Sequence, residues 1–160
     1  MRLSGPGLAC IDDAQLGQVL PVMTSPPLTT LHLVRWAAAI EQWHRINFDK
    51  EFAVNHDHLP GLPVNGTWRR QFMVQYLTAV VGADGWLCHV DIQFRRLTIV
   101  GDVLTAWAEV MSVAMGSQYG EVGLRVGLRD QAGNETSPGF ARALLPKRGG
   151  AVPYPLRPRR

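Results

Sequence analysis

The sequence predicts an α+β fold in which a curved antiparallel sheet wraps one long buried helix. Three observations carry that prediction. Residues 67–81 are apolar on most of a helical circumference, four later segments alternate apolar and polar residues with period two, and short connections join those segments.

Taken in chain order, residues 1–26 hold Gly5, Gly7 and Gly17 and little periodicity, with one strand candidate at Gln18 to Thr24. After Pro26-Pro27, Thr29 or Thr30 can cap a helix in which Leu33, Trp36, Ile40 and Trp43 recur at spacings of three and four, which places that helix at about 28–43. Residues 44–66 mix Asn, Asp, His, Pro and Gly without a period and read as loop, with one helical turn around Lys50 to Val54. From Thr67, the residues Trp68, Phe72, Tyr76 and Val80 lie at i+4 steps while Met73 and Leu77 widen the face, and Gly82 and Gly85 end the helix. Arg69, Arg70, Gln71 and Gln75 are its polar exceptions. So apolar a helix must be covered.

The four alternating segments can cover it. They are Cys88 to Arg95, Leu104 to Val110, Glu121 to Arg129 and Phe140 to Leu145, the last reached through the turn Asp130 to Asn134. Joined by short turns they are expected to form a four-stranded meander, with Trp107 on its exposed face. A helix gripped by such a sheet is the hot-dog arrangement. An unpaired sheet edge favours a second subunit, so a dimer is expected.

Composition narrows the class. A chain of 160 residues and 17.7 kDa, 46% hydrophobic and 18% charged, suits one domain, expected over 1–146 with residues 1–16 as a flexible arm. Cys10 and Cys88 are too few for a disulfide scaffold, no apolar run approaches a membrane span, and no signal peptide is legible; a cytoplasmic protein is expected. The net charge of +3 comes from residues 147–160, a basic, proline-rich tail; residues 1–146 hold 11 basic and 13 acidic residues, a net of −2. The body therefore lacks the footprint of a nucleic-acid binder, and the tail is expected to lie extended or disordered.

Polar chemistry gathers between Trp43 and Gly66. His56-Asp57-His58 lacks a second set of ligands at metal-binding spacing, so no metal is expected. Neither a P-loop, nor G-x-S-x-G, nor a dinucleotide fingerprint occurs. Four stretches together resemble the MaoC-like acyl-CoA dehydratases and (R)-specific enoyl-CoA hydratases: Pro26-Pro27-Leu28-Thr29, Arg45-Ile46-Asn47-Phe48-Asp49, Pro60-Gly61-Leu62-Pro63-Val64-Asn65-Gly66, and Phe94 to Thr105. The likeness runs from about Leu16 to Pro146 and is greatest to the branch of mesaconyl-CoA hydratase and the steroid side-chain hydratase subunits.

That resemblance implies a hot-dog fold and an enoyl-thioester substrate. It implies an Asp and, five residues on, a His that hold a water and exchange a proton with the α-carbon. A second His often precedes the glycine of the central helix. Here the Asp position falls on Gln42, the His position on Asn47 and the second His on Asn65. Amides hold water or a carbonyl but do not titrate in the range such catalysis needs. Gly66 can offer its N–H and the positive helix end to a thioester oxygen, or be a glycine chosen for close packing. Arg95 and Arg96 stand where the family keeps basic residues toward the CoA phosphates, with surface ion pairing as the alternative.

The expected function is an acyl-CoA or acyl-carrier thioester-binding subunit of a hydratase or dehydratase, with a degenerate site, completed by a catalytic hot-dog partner. The substrate brings its own CoA or phosphopantetheine, and no other cofactor is expected. Two alternatives stay open: a self-sufficient hydratase using His44 or Asp49 as a displaced acid/base pair, and a hot-dog thioesterase. The latter is weakened because residues 67–81 contain no Asp or Glu.

Overall fold

The structure, a computed structural model, describes residues 1–152. It contains two α-helices, α1 (Thr30–Ala39) and α2 (Gly66–Val81), and strands β1 (Met23–Thr24), β2 (Trp86–Ile92), β3 (Thr105–Met115), β4 (Tyr119–Arg129) and β5 (Glu135–Pro146). All pairings are antiparallel, and the sheet order is β1-β3-β4-β5-β2.

α2 is the centre of the molecule. Phe72, Met73, Tyr76, Leu77, Val80 and Val81 are buried, and the exposed side narrows to Thr67, Arg70, Gln71, Gln75, Thr78 and Ala79. Against it the sheet presents Ala106, Ala108 and Val110 from β3, Val122, Leu124, Val126 and Leu128 from β4, and Ala141, Ala143 and Leu145 from β5. The alanines leave room for Phe72 and Tyr76 at close packing. Register shifts at Val110/Ser112 and Leu128/Arg129 are the irregularities that bend long strands, and so let the sheet curl. This is the hot-dog fold expected from the sequence.

Several local expectations are corrected. The four long strands do not form a simple meander: β3, β4 and β5 do, but β2 crosses to pair with β5. The connection over residues 93–104 carries the chain from that edge back to β3, bonding the 62–64 segment on the way through the Val100 N–H to the Leu62 carbonyl at 2.9 Å and the Val64 N–H to the Thr98 carbonyl at 2.7 Å. α1 ends at Ala39, where the notional apolar stripe would continue; Glu41 takes φ 55 and the Gln42 N–H turns back to the Ala37 carbonyl at 2.9 Å. Ile40 and Trp43 are consequently exposed. The start of α1 is as expected, with Thr29 at its N-cap and its N–H donated to His32 Nδ1 at 3.1 Å.

Trp107 is covered, not exposed. Its ring lies over Gly127, with the guanidinium of Arg129 4.6 Å and that of Arg125 5.6 Å from the ring centroid. The segment 1–16, expected as a flexible arm, lays Leu8, Cys10 and Ile11 into buried positions, because the open end of α2 needs a cover; the Leu8 N–H bonds the Val80 carbonyl at 2.8 Å. Of the strand candidate Gln18 to Thr24, only Met23–Thr24 is strand, with Val19 bridging Glu109. In the tail, Arg148 pairs with Asp13 at 2.8 Å, and its N–H reaches Asp12; the expectation for the remainder falls on residues 153–160, outside the described residues. No helix among the described residues is long and apolar enough to cross a membrane.

A Cβ at Gly127 would lie 2.6 Å from Trp107 Nε1 and 2.7 Å from Glu135 Oε1. Gly127→Ala is therefore expected to displace the tryptophan and lower the unfolding free energy by about 1–3 kcal/mol, measured by urea denaturation with tryptophan fluorescence.

Candidate functional site

The site is assembled at the N-terminus of α2. Asn65 is its N-cap: Oδ1 accepts the Thr67 N–H at 2.8 Å and the Thr67 hydroxyl at 2.7 Å. The other end of the same amide, Nδ2, donates to Gln42 Oε1 at 2.6 Å. Trp36 of α1 donates its indole N–H to the Thr67 hydroxyl at 2.7 Å. One hydrogen-bonded chain therefore runs Trp36–Thr67–Asn65–Gln42, tying α1, α2 and the following loop together. Two of the three sequence-predicted amides, Gln42 and Asn65, are thus in direct contact.

The third, Asn47, is buried in a 3₁₀ turn, Arg45–Asn47, whose closing bond runs from its own N–H to the His44 carbonyl at 3.0 Å. His44 itself is exposed. Asp49 is committed locally. Its Oδ1 accepts the Phe52 N–H at 3.0 Å, and its Oδ2 takes Arg45 at 2.6 Å. The Phe52 N–H first, and Arg45 second, hold its carboxyl below the ordinary value of 3.8. A carboxylate so stabilised is a poor proton carrier near neutral pH.

Gly66, the first residue of α2, has an N–H with no partner among the described residues, as expected of the first turn of a helix. That donor and the positive end of the helix dipole lie next to Asn65, whose amide bonds Gln42. Chemically, this arrangement can hold a carbonyl oxygen or a water. It cannot shuttle a proton.

Arg95 and Arg96 are exposed, and neither makes an ion pair among the described residues. Their N–H groups both reach the Thr136 carbonyl, and the Arg95 guanidinium donates to Gln93 Oε1. The residue that sequence reasoning missed is Arg69. It is 6% exposed, with Nη1 donating to the Arg96 carbonyl at 2.9 Å and to Ser137 Oγ at 3.3 Å, while Nε has no partner among the described residues. No ion pair among the described residues involves it, and burial holds its pKa below the ordinary value. Removing a cation from water costs several kcal/mol, and a basic first helical turn works against the dipole. The signal in the sequence was that first turn: Arg69 and Arg70 with no acid beside them.

His56 Nδ1 lies 2.7 Å from Asp57 Oδ1, with its ring stacked on Phe52. No group of three or more His, Cys, Asp or Glu among the described residues is arranged to hold a metal. A concavity of about 690 Å³, bordered by Cys10, Asp84, Trp86 and Arg148, opens beyond the C-terminus of α2. A 16-residue helix is about 24 Å long, so this concavity is remote from the amides.

No protein-family model matches the chain, and no curated protein matches it in sequence. Its fold is nonetheless shared with solved structures. The unliganded R-hydratase PhaJ1 from Pseudomonas aeruginosa superposes with a TM-score of 0.77 at 18% identity, over 95% of this chain and 96% of that one. The ChsH1–ChsH2 complex from Mycobacterium tuberculosis gives 0.72 at 18%, over 82% and 98%. A putative MaoC domain dehydratase from Chloroflexus aurantiacus gives 0.79 at 15%, over 96% of this chain and 45% of that longer one. These likenesses define the class of fold, a hot-dog shared with hydratases and dehydratases.

Two expectations test the local geometry. Asn65→Ala removes the cap and the tie to Gln42 and is expected to cost about 1 kcal/mol in urea denaturation, whereas Asn65→Asp keeps a capping oxygen and near wild-type stability. Because the Asp49 pKa is depressed on folding, its contribution to stability is present above the ordinary value of 3.8 and is lost as pH falls through the folded value. The Asp49→Asn variant is expected to show a shallower loss of urea midpoint below pH 3.8 than the wild type.

Proposed function

We propose that the protein is an acyl-thioester-binding subunit of an enoyl-CoA hydratase or dehydratase, one hot-dog domain over 1–146 whose own site holds substrate without performing proton transfer. The observation that carries this reading is the Gln42–Asn65 contact at the N-terminus of α2, beside the unused Gly66 N–H. Amides stand where the resemblance puts a carboxylate and imidazoles, and Asn47 is buried in the same loop.

The binding half of the chemistry remains. The thioester carbonyl would take the Gly66 N–H, with the helix end stabilising negative charge on oxygen, and Gln42 would orient a water or the acyl group. Arg95 and Arg96, both exposed and neither in an ion pair among the described residues, are available to phosphates carried by CoA or an acyl-carrier arm. The cofactor portion arrives with the substrate, and the subunit works in the cytoplasm where that substrate is made.

A catalytic partner supplies the acid and base. Gln42 and His44 are exposed, so the site is open on one side, and β1 and β2 are the outer strands of the sheet among the described residues. A second hot-dog subunit extending the sheet would cover apolar surface and complete the cavity. One structural neighbour, the ChsH1–ChsH2 complex, is itself a two-component assembly.

The test is direct. Alone, the purified chain is expected to bind crotonyl-CoA or longer enoyl-CoAs without hydrating them; turnover lost on His44→Ala or Asp49→Asn would overturn the reading in favour of a self-sufficient enzyme. Thiol release from saturated acyl-CoAs would point instead to a thioesterase. Restoring titratable groups in the double variant Gln42→Asp/Asn47→His is expected to raise hydration by about 10²-fold over the wild-type background, followed by loss of enoyl absorbance.

A further inference from the structure

We infer that Phe94 is a substrate-contacting wall of the thioester site, held from behind by Arg69, and that it selects for the acyl group rather than for the CoA moiety. This assignment rests on the thioester-binding reading and identifies what reads the acyl end.

Phe94 lies just beyond β2 in a segment whose backbone is pinned to β5 on both sides. The Gln93 N–H bonds the Pro138 carbonyl at 2.9 Å, and the Arg95 and Arg96 N–H groups bond the Thr136 carbonyl at 3.0 and 3.2 Å. One edge of the ring presses on the first residue of α2, where a Cβ on Gly66 would fall 2.7 Å from Phe94 Cε2. Glycine is required there for that close approach. The same residue presents the unpaired N–H proposed to take the carbonyl oxygen.

One face of the ring is covered by Arg69, whose guanidinium carbon sits 4.5 Å from the centroid. Arg69 is buried and is anchored to the Arg96 carbonyl and Ser137 Oγ, so the cation cannot swing away without losing both bonds. The attraction between a guanidinium and an aromatic face is strongest where water is excluded. It also explains why a buried arginine without a carboxylate is tolerated at this point.

What remains is the rest of the ring, and Phe94 is 43% exposed. A large apolar side chain gripped at one edge and one face, yet open to solvent, is a contact surface whose ordering cost has been met before a ligand arrives. The ring lies beside the residue whose N–H is proposed to take the thioester oxygen, so on this reading the acyl substituent lies against it. The ring has neither charge nor hydrogen-bond donor for phosphates. Its contribution therefore belongs to the apolar acyl group, with Arg69 as a positioning residue that acts through it.

The experiment is calorimetric binding of free CoA, acetyl-CoA and octanoyl-CoA to the full chain. The wild type is expected to bind octanoyl-CoA more tightly than free CoA. Phe94→Ala is expected to weaken octanoyl-CoA about tenfold while leaving free CoA within about twofold, and Phe94→Leu to fall between. Arg69→Met is expected to shrink the octanoyl-to-free-CoA ratio as well, and Arg69→Lys, which restores a cation over the ring, to recover part of it. A merely structural arginine would lower the melting temperature without moving that ratio. Should Phe94→Ala not fold, Phe94→Leu carries the test. Equal weakening of both ligands, or no change in either, overturns the wall; failure of the wild type to bind any acyl-CoA overturns the thioester-binding reading and the wall with it.

Discussion

The structure depends on the burial of α2. A 16-residue helix with six large or medium apolar side chains buried contributes about 1.5–3 kcal/mol for each that leaves water, and that gain is available only if the chain surrounds it. The sheet covers one side. Residues 1–16, the 60–64 segment and α1 cover what the sheet leaves, which is why the N-terminal stretch, unremarkable in composition, places Leu8 and Ile11 in the core.

Enclosing a helix creates a problem at its ends, where N–H groups lose their intrahelical partners. At the start of α2 the solution is also what makes a site. Asn65 caps the turn and, through its second amide atom, anchors Gln42; Thr67 links the same turn to Trp36. The Gly66 N–H is left over. The helix end is capped for stability but keeps one donor unspent, beside the buried Arg69 and the Phe94 ring that packs on it, and the proposed function draws on that donor.

The loop from Gln42 to Asp49 shows how similar residues diverge in role through geometry. Asp49 is the one carboxylate in that loop, but its oxygens are used by Phe52 N–H and Arg45 to close the following turn. Gln42, uncharged, is the side chain that reaches the end of α2. The residues that titrate are turned to structure or solvent, and the residues that meet the helix end do not titrate. That division underlies the proposal that this chain binds and a partner transfers the proton.

The alternation of β3 and β4, the i+4 repeat of α2 and the cap at Thr29 were legible in the sequence because they arise from local periodicity and local hydrogen bonding, which short windows of residues carry. The contact of Gln42 with Asn65, 23 positions apart, was legible only as a shared region, since the segment between them had to fold before the two amides could meet. The position of β2 beside β5, the end of α1 at Ala39, the covering of Trp107 by Arg125 and Arg129, and the burial of Arg69 under Phe94 were decided by the tertiary structure. Each depends on which surface is left vacant after α2 is enclosed, and vacancy is a property of the assembled chain, not of any segment in it.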